Sequence, residues 1–141
     1  MRRATICLLS LILAPPALRP QSSEDTLALI NLREARKLAV MAMPGEVRGP
    51  GVTIELYDQR NRCAVYHVYR SSGVETQALK VTIGWWFVDL RTGDVWDQNS
   101  KYVTNPQIVA LQRSIRRHLS VSADEIAWSR SSPCDARYAI Q

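Results

Sequence analysis

Asp89, Asp94 and Asp97 share one short stretch, Gly84 to Asp97, with Trp85, Trp86 and Trp96. Clustered carboxylates can hold a hard cation such as calcium through oxygen. These three lack the regular alternation of a calcium loop, and aspartates at turns commonly hydrogen-bond their own backbone, so no metal site is assigned. His67 and His118 are the side chains best suited to moving protons near neutral pH, yet they fall in different elements. The chain contains no nucleophile elbow, phosphate loop, dinucleotide fingerprint or paired-histidine metal motif. No catalytic residue and no cofactor are therefore assigned. An enzyme would need His67, His118 and an aspartate brought together by folding.

The tryptophans offer a different chemistry, that of recognition. Strict alternation from Leu79 places Val81, Ile83, Trp85 and Phe87 on one face of a strand, which reads as the core face, and Lys80, Thr82, Gly84, Trp86 and Val88 on the other. Trp85 is then buried, and Trp86 looks outward with Trp96 across a hairpin. Trp86, Trp96, Asp94 and Asp97 form the candidate partner-binding patch, since large aromatics among polar residues often dominate binding energy. Trp86 and Trp96 packing on each other across the strands is the structural alternative.

The compartment sets the cysteine chemistry. Arg2 and Arg3 precede an apolar run from Ala4 to Ala14, followed by Pro15, Pro16 and Ala17, the layout of a secretory signal peptide over residues 1–21. The run is shorter than the roughly 20 residues that span a bilayer, so no stable membrane insertion is expected once it is removed. Residues 22–141 then form one domain that is secreted or periplasmic. Cys63 and Cys134 remain as an even pair in an oxidising compartment, where a disulfide is expected. It would close a loop of about 70 residues and stabilise the fold by roughly 2 to 4 kcal/mol.

Arg2, Arg3 and Arg19 are three of the 18 basic residues, and none of the 13 acidic residues lies beside them; removal leaves 15 bases against 13 acids. That balance lacks the basic excess of a nucleic-acid-binding domain, and no specific nucleic-acid partner is expected.

The elements that must position these residues follow from periodicity and punctuation. Ser22 or Ser23 can cap a helix with Ala28, Leu32, Ala35, Leu38, Ala39 and Ala42 on one side, ended by Pro44 and Gly45. Val52 to Asp58 alternates as a half-buried strand. After a polar turn, Arg62 to Arg70 returns antiparallel, with Cys63, Val65, His67 and Tyr69 on one face and Ala64, Tyr66 and Val68 on the other; the two faces are too alike for the sequence to select the core side. Gly84 marks a bulge or a groove. Asp89 to Asp94 makes a turn through Gly93, and Val95 to Asp97 returns from it. Asn105 and Pro106 open a second helix with Ile108, Leu111, Ile115 and Leu119 as its apolar stripe. Arg113, Arg116 and Arg117 form its basic face, suited to an acidic partner or anionic surface. A C-terminal tail with Trp128 and Tyr138 packs back on the domain.

The hairpin Gly84-Trp85-Trp86-Phe87-Val88-Asp89 with Thr92-Gly93-Asp94-Val95-Trp96 resembles those of small secreted bacterial domains of PepSY-like or cystatin-like shape. That resemblance implies an α+β fold in which an N-terminal helix packs on a curved antiparallel sheet of three to four strands, followed here by a second helix and the tail. It also implies a binding role. The expected function is a small exported, non-enzymatic binding domain, an inhibitor, immunity factor or accessory subunit of another envelope or secreted protein. An envelope hydrolase, or a ligand-binding domain with a cavity between helix and sheet, is the alternative.

Overall fold

The computed structural model describes residues 27–72 and 79–134. The expected signal segment, the caps at Ser22 or Ser23, and Tyr138 lie outside the described residues. Helix α1 (Leu32–Ala42) is followed by a 3-10 turn (Gly45–Val47), strands β1 (Val52–Arg60), β2 (Cys63–Ser72), β3 (Leu79–Asp89) and β4 (Val95–Asp97), and helices α2 (Pro106–His118) and α3 (Ala123–Ser131). The four strands form an antiparallel meander in the order β1-β2-β3-β4. The α+β class expected from the sequence is the fold observed.

Helix α1 begins later than its apolar spacing suggests. Asn31 is the cap, its Oδ1 accepting from the Glu34 N–H at 3.0 Å. The residues before it are committed elsewhere: the Ile30 N–H donates to the Leu90 carbonyl at 2.8 Å, and the Ala28 carbonyl accepts from Arg91 at 3.2 Å. Ala28 therefore lies outside the helix. Ala35, Leu38, Ala39 and Ala42 do form the buried stripe, and their small size brings the helix close to the sheet. The last carbonyls of α1, which lack intrahelical partners, are met by side chains: Arg48 bonds those of Met41 and Met43, and Asn105 bonds that of Met41.

Helices α1 and α2 cover one face of the sheet. The core there joins Leu38 and Ala39 to Tyr66, Val68, Trp86, Val88, Val95, Ile108 and Ile115. The Tyr66 hydroxyl donates to the Leu32 carbonyl at 2.8 Å, and burial pushes its pKa up to about 12. The opposite face is also covered at one end. Cys63 and Cys134 are joined by a disulfide with Cα atoms 5.8 Å apart, and with Trp96, Phe87 and Tyr102 they make a second cluster. Strand β2 is thus sandwiched: Ala64, Tyr66 and Val68 are buried on one side, Cys63, Val65 and Tyr69 on the other. Its sequence shows no polar face for that reason.

The expected core face of β3 is corrected at Trp85 and Phe87. Val68 pairs with Gly84 and Tyr69 with Thr82, so Ile83 is an extra residue with no cross-strand partner. A bulge of this kind shifts the alternation by one residue. Directly opposed residues share a face, so Val81 (opposite Arg70) lies on the same side as Gly84, Trp86 and Val88, whose partners are Val68, Tyr66 and Ala64. Trp86 is 6% exposed in the main core, whereas Trp85 stands on the opposite face and is only half-buried. Leu79 and Val81 at the start of the strand are exposed. The bulge occurs beside Gly84, where a Cβ would come within 3.0 Å of the Trp86 ring.

Candidate functional site

The β3–β4 turn is a rigid hub. Gly93 has φ +72°, a backbone region that favours glycine, and a Cβ there would meet Ile115 at 3.3 Å and Leu38 at 3.4 Å. The fully buried Asp89 carboxylate accepts from the N–H groups of Arg91 (2.8 Å) and Thr92 (3.0 Å), from the Arg62 guanidinium at 3.1 Å, and from the Ser129 hydroxyl at 3.3 Å. Asp94, equally buried, accepts from Thr92 Oγ1 at 2.8 Å and from Arg116 at 2.6 Å. Arg91 reaches Glu125 through Nε at 2.8 Å and the Leu119 carbonyl at 2.8 Å. The turn, β2, α2 and α3 are held in one charge-compensated network.

Glu125 gives this network a pH signature. Its hydrogen bond from Arg91 first, and the Ser122 N–H second, lower its pKa from 4.5 to about 2. The folded value lies below the ordinary one, so as pH falls the unfolded chain takes up the proton first. The stabilisation is complete above pH 4.5 and is lost as pH falls through about 2. Urea midpoints measured across that window should fall more steeply for the native protein than for Glu125→Gln; parallel curves would contradict the assignment.

The outer sheet face carries the aromatic surface. His67 lies flat on Trp85 (ring centroids 4.3 Å apart, planes 16° apart), Tyr57 meets Trp85 edge-on at 4.8 Å, and Tyr69 lies 5.2 Å from His67. The ammonium of Lys80 sits 4.4 Å above the Tyr69 ring and 3.6 Å from Glu55; Tyr69 first and the Glu55 charge second raise its pKa. Tyr57 is the extra residue of a second bulge, between Leu56 and Asp58, and is 63% exposed. Rings in such contacts gain about 0.5 to 1.5 kcal/mol beyond their area, so the stack is held in shape before any partner arrives. It adjoins β1, which forms one edge of the sheet; the other edge strand, β4, is covered by the returning chain through the Trp96–Tyr102 bridge.

The expected partner-binding patch is not assembled. Trp96 is 1% exposed and belongs to the disulfide cluster, while Trp86 belongs to the main core, because adjacent residues of β3 and β4 alternate across the sheet. They are not packing partners: Trp86 opposes Asp97, and Trp96 opposes Phe87. Asp94 is consumed by Arg116. Asp97 turns the chain, accepting from the N–H groups of Asn99 (2.8 Å) and Lys101 (3.0 Å), and lines a shallow depression of about 350 Å³ with Trp86, Ala42 and Tyr102. Within the basic helix face, Arg116 is tied to Asp94 and to the Thr92 carbonyl, whereas Arg113 and Arg117 are exposed.

The histidines lie apart, His67 on the outer sheet face and His118 exposed on α2, which packs against the inner face. His67 Nε2 is 2.9 Å from Thr82 Oγ1, and its Nδ1 is 3.9 Å from Glu55. This acid–imidazole–hydroxyl order resembles a nucleophile relay in outline. Thr82 is nevertheless a mid-strand residue paired with Tyr69, in a ladder that occupies the backbone donors an oxyanion would need. Among the described residues no group of three or more His, Cys, Asp or Glu side chains could hold a metal ion, and no helix is long and apolar enough to cross a membrane.

What sequence reasoning missed was the pairing of Tyr57, His67 and Trp85, from three different strands. The available signal was Gly84, whose bulge reassigns Trp85. Neither a family model nor a curated protein matches the chain. Its fold is similar to that of a chain in a type VI secretion system effector–immunity complex from Pseudomonas protegens, with a TM-score of 0.58 over 73% of this chain and 88% of that one. At 18% identity, the likeness is one of fold.

Proposed function

We propose that this is a small exported binding protein of the inhibitor or immunity kind, which neutralises or shields another envelope or secreted protein through the outer face of its sheet. The observation that carries it is the pre-formed aromatic stack of Tyr57, Trp85 and His67 at the β1 edge of the sheet. Tyrosine and tryptophan are the residues that most often anchor protein interfaces. Rings already locked together lose little side-chain freedom on binding. The fold likeness to a chain of an effector–immunity complex supports the same class of role. The disulfide supports an oxidising compartment outside the cytosol.

The test is capture of the partner from envelope extract by the oxidised protein, comparing the native chain with Tyr57→Ala and Trp85→Ala. Tyr57 is mostly exposed, so its loss should cost only the ring contact with Trp85, about 0.5 to 1.5 kcal/mol, and leave the protein folded. Loss of an anchor should weaken binding by about 2 kcal/mol, roughly thirtyfold. Unchanged affinity in both variants would sink the outer-face assignment.

A further inference from the structure

Helix α2 presents a second surface, on the side of the sheet away from the aromatic stack. From Gln98 to Ala123 the sequence contains no Asp or Glu, while it contains Lys101, Arg113, Arg116 and Arg117. Arg116 is neutralised by Asp94. Arg113 and Arg117, one helical turn apart, are exposed and have no ion-pair partner among the described residues. With Arg116, Val109, Ser120 and Val121 they line a shallow cleft of about 470 Å³. Val109 is 38% exposed and Val121 half-buried, so the cleft has an apolar component beside its cations.

Resting on the binding role proposed above, we infer that this cleft docks an acidic, partly apolar peptide segment of the protein partner. Guanidinium groups bind carboxylates in a bidentate fork, and residues four apart on a helix stand side by side. Two carboxylates spaced along one segment would therefore meet Arg113 and Arg117, with flanking aliphatic side chains on Val109 and Val121. The Arg116–Asp94 bond keeps the cleft wall in place. An anionic membrane fits less well. Each basic residue near such a surface contributes about 1 kcal/mol, and surface-binding segments use roughly four to eight of them; of the three arginines that line the cleft, two, Arg113 and Arg117, are free of the buried network. A carboxylate segment needs only the pair.

The experiment uses the oxidised protein and a labelled peptide in which glutamates alternate with leucines, read by fluorescence anisotropy at low salt. Binding should weaken about five- to tenfold in Arg113→Ala/Arg117→Ala and fall with added salt, while the leucine-matched peptide carrying glutamines should bind weakly. Equal affinity for the acidic and glutamine peptides, or for the native and double-variant proteins, would overturn the inference. So would stronger association of the same surface with phosphatidylserine vesicles than with the peptide, which would make it a lipid contact. The peptide is independent of extract capture, so a failure here with Tyr57-dependent capture intact refutes the acidic cleft alone. Loss of Tyr57 dependence with peptide binding intact refutes the outer-face assignment alone.

Discussion

Replacing Asp89 by alanine is expected to cost about 3 to 5 kcal/mol, a large part of the roughly 5 to 15 kcal/mol that holds a domain together. The carboxylate is fully buried and receives three kinds of donor: two turn N–H groups, the Arg62 guanidinium and the Ser129 hydroxyl. Alanine leaves these buried donors without their acceptor, and the Arg62 charge, itself mostly buried, loses its counterion. Asp89→Asn should be milder, since the amide oxygen can still accept from the turn while its NH₂ group faces the other donors. Urea denaturation at neutral pH should rank the proteins native, Asn, Ala in falling midpoint. A shift under about 1 kcal/mol for alanine would mean that the turn is held by its flanking strands rather than by this carboxylate.

Loss of the disulfide is the second large effect. Cys63 opens β2 and Cys134 follows α3, 71 residues later. The bond limits the unfolded chain over most of the domain and anchors the cluster of Trp96, Phe87 and Tyr102. Cys63→Ala/Cys134→Ala should lose about 2 to 5 kcal/mol. The loss should be visible as a lower melting temperature and a red-shifted tryptophan emission as Trp96 gains water. Thiol labelling of the native protein should find neither Cys63 nor Cys134 reactive. Full labelling without denaturant, or an unchanged melting temperature in the double variant, would contradict a structural bridge.

Much of the scaffold was legible because each element carries its own punctuation. Asn105 and Pro106 open α2, Gly93 makes the β3–β4 turn, and the even cysteine pair closes the tail. Tertiary context overrode the rest. Alternation assigned Trp85 to the core because it counts every residue, and a single unpaired residue at Ile83 breaks that count. Arg116 reads as one of three arginines on a basic helix face, and only the fold reveals that Asp94 lies 2.6 Å from it. Gln112 interrupts the apolar stripe of α2 yet is buried, its amide donating to the Gly93 carbonyl at 3.0 Å. The aromatic surface uses Tyr57 from β1, His67 from β2 and Trp85 from β3, a juxtaposition that exists only once registers and bulges are fixed.

Hydrogen exchange on the captured complex addresses the binding face directly. If the outer sheet face holds the partner, the amides of Thr53 to Tyr57 on the edge strand β1 should exchange more slowly in the complex than in the free protein, and Tyr57→Ala should remove most of that protection at a partner concentration that half-saturates the native protein. Unchanged exchange across β1 in a complex that remains saturated, whatever happens at α2, would contradict the outer-face account.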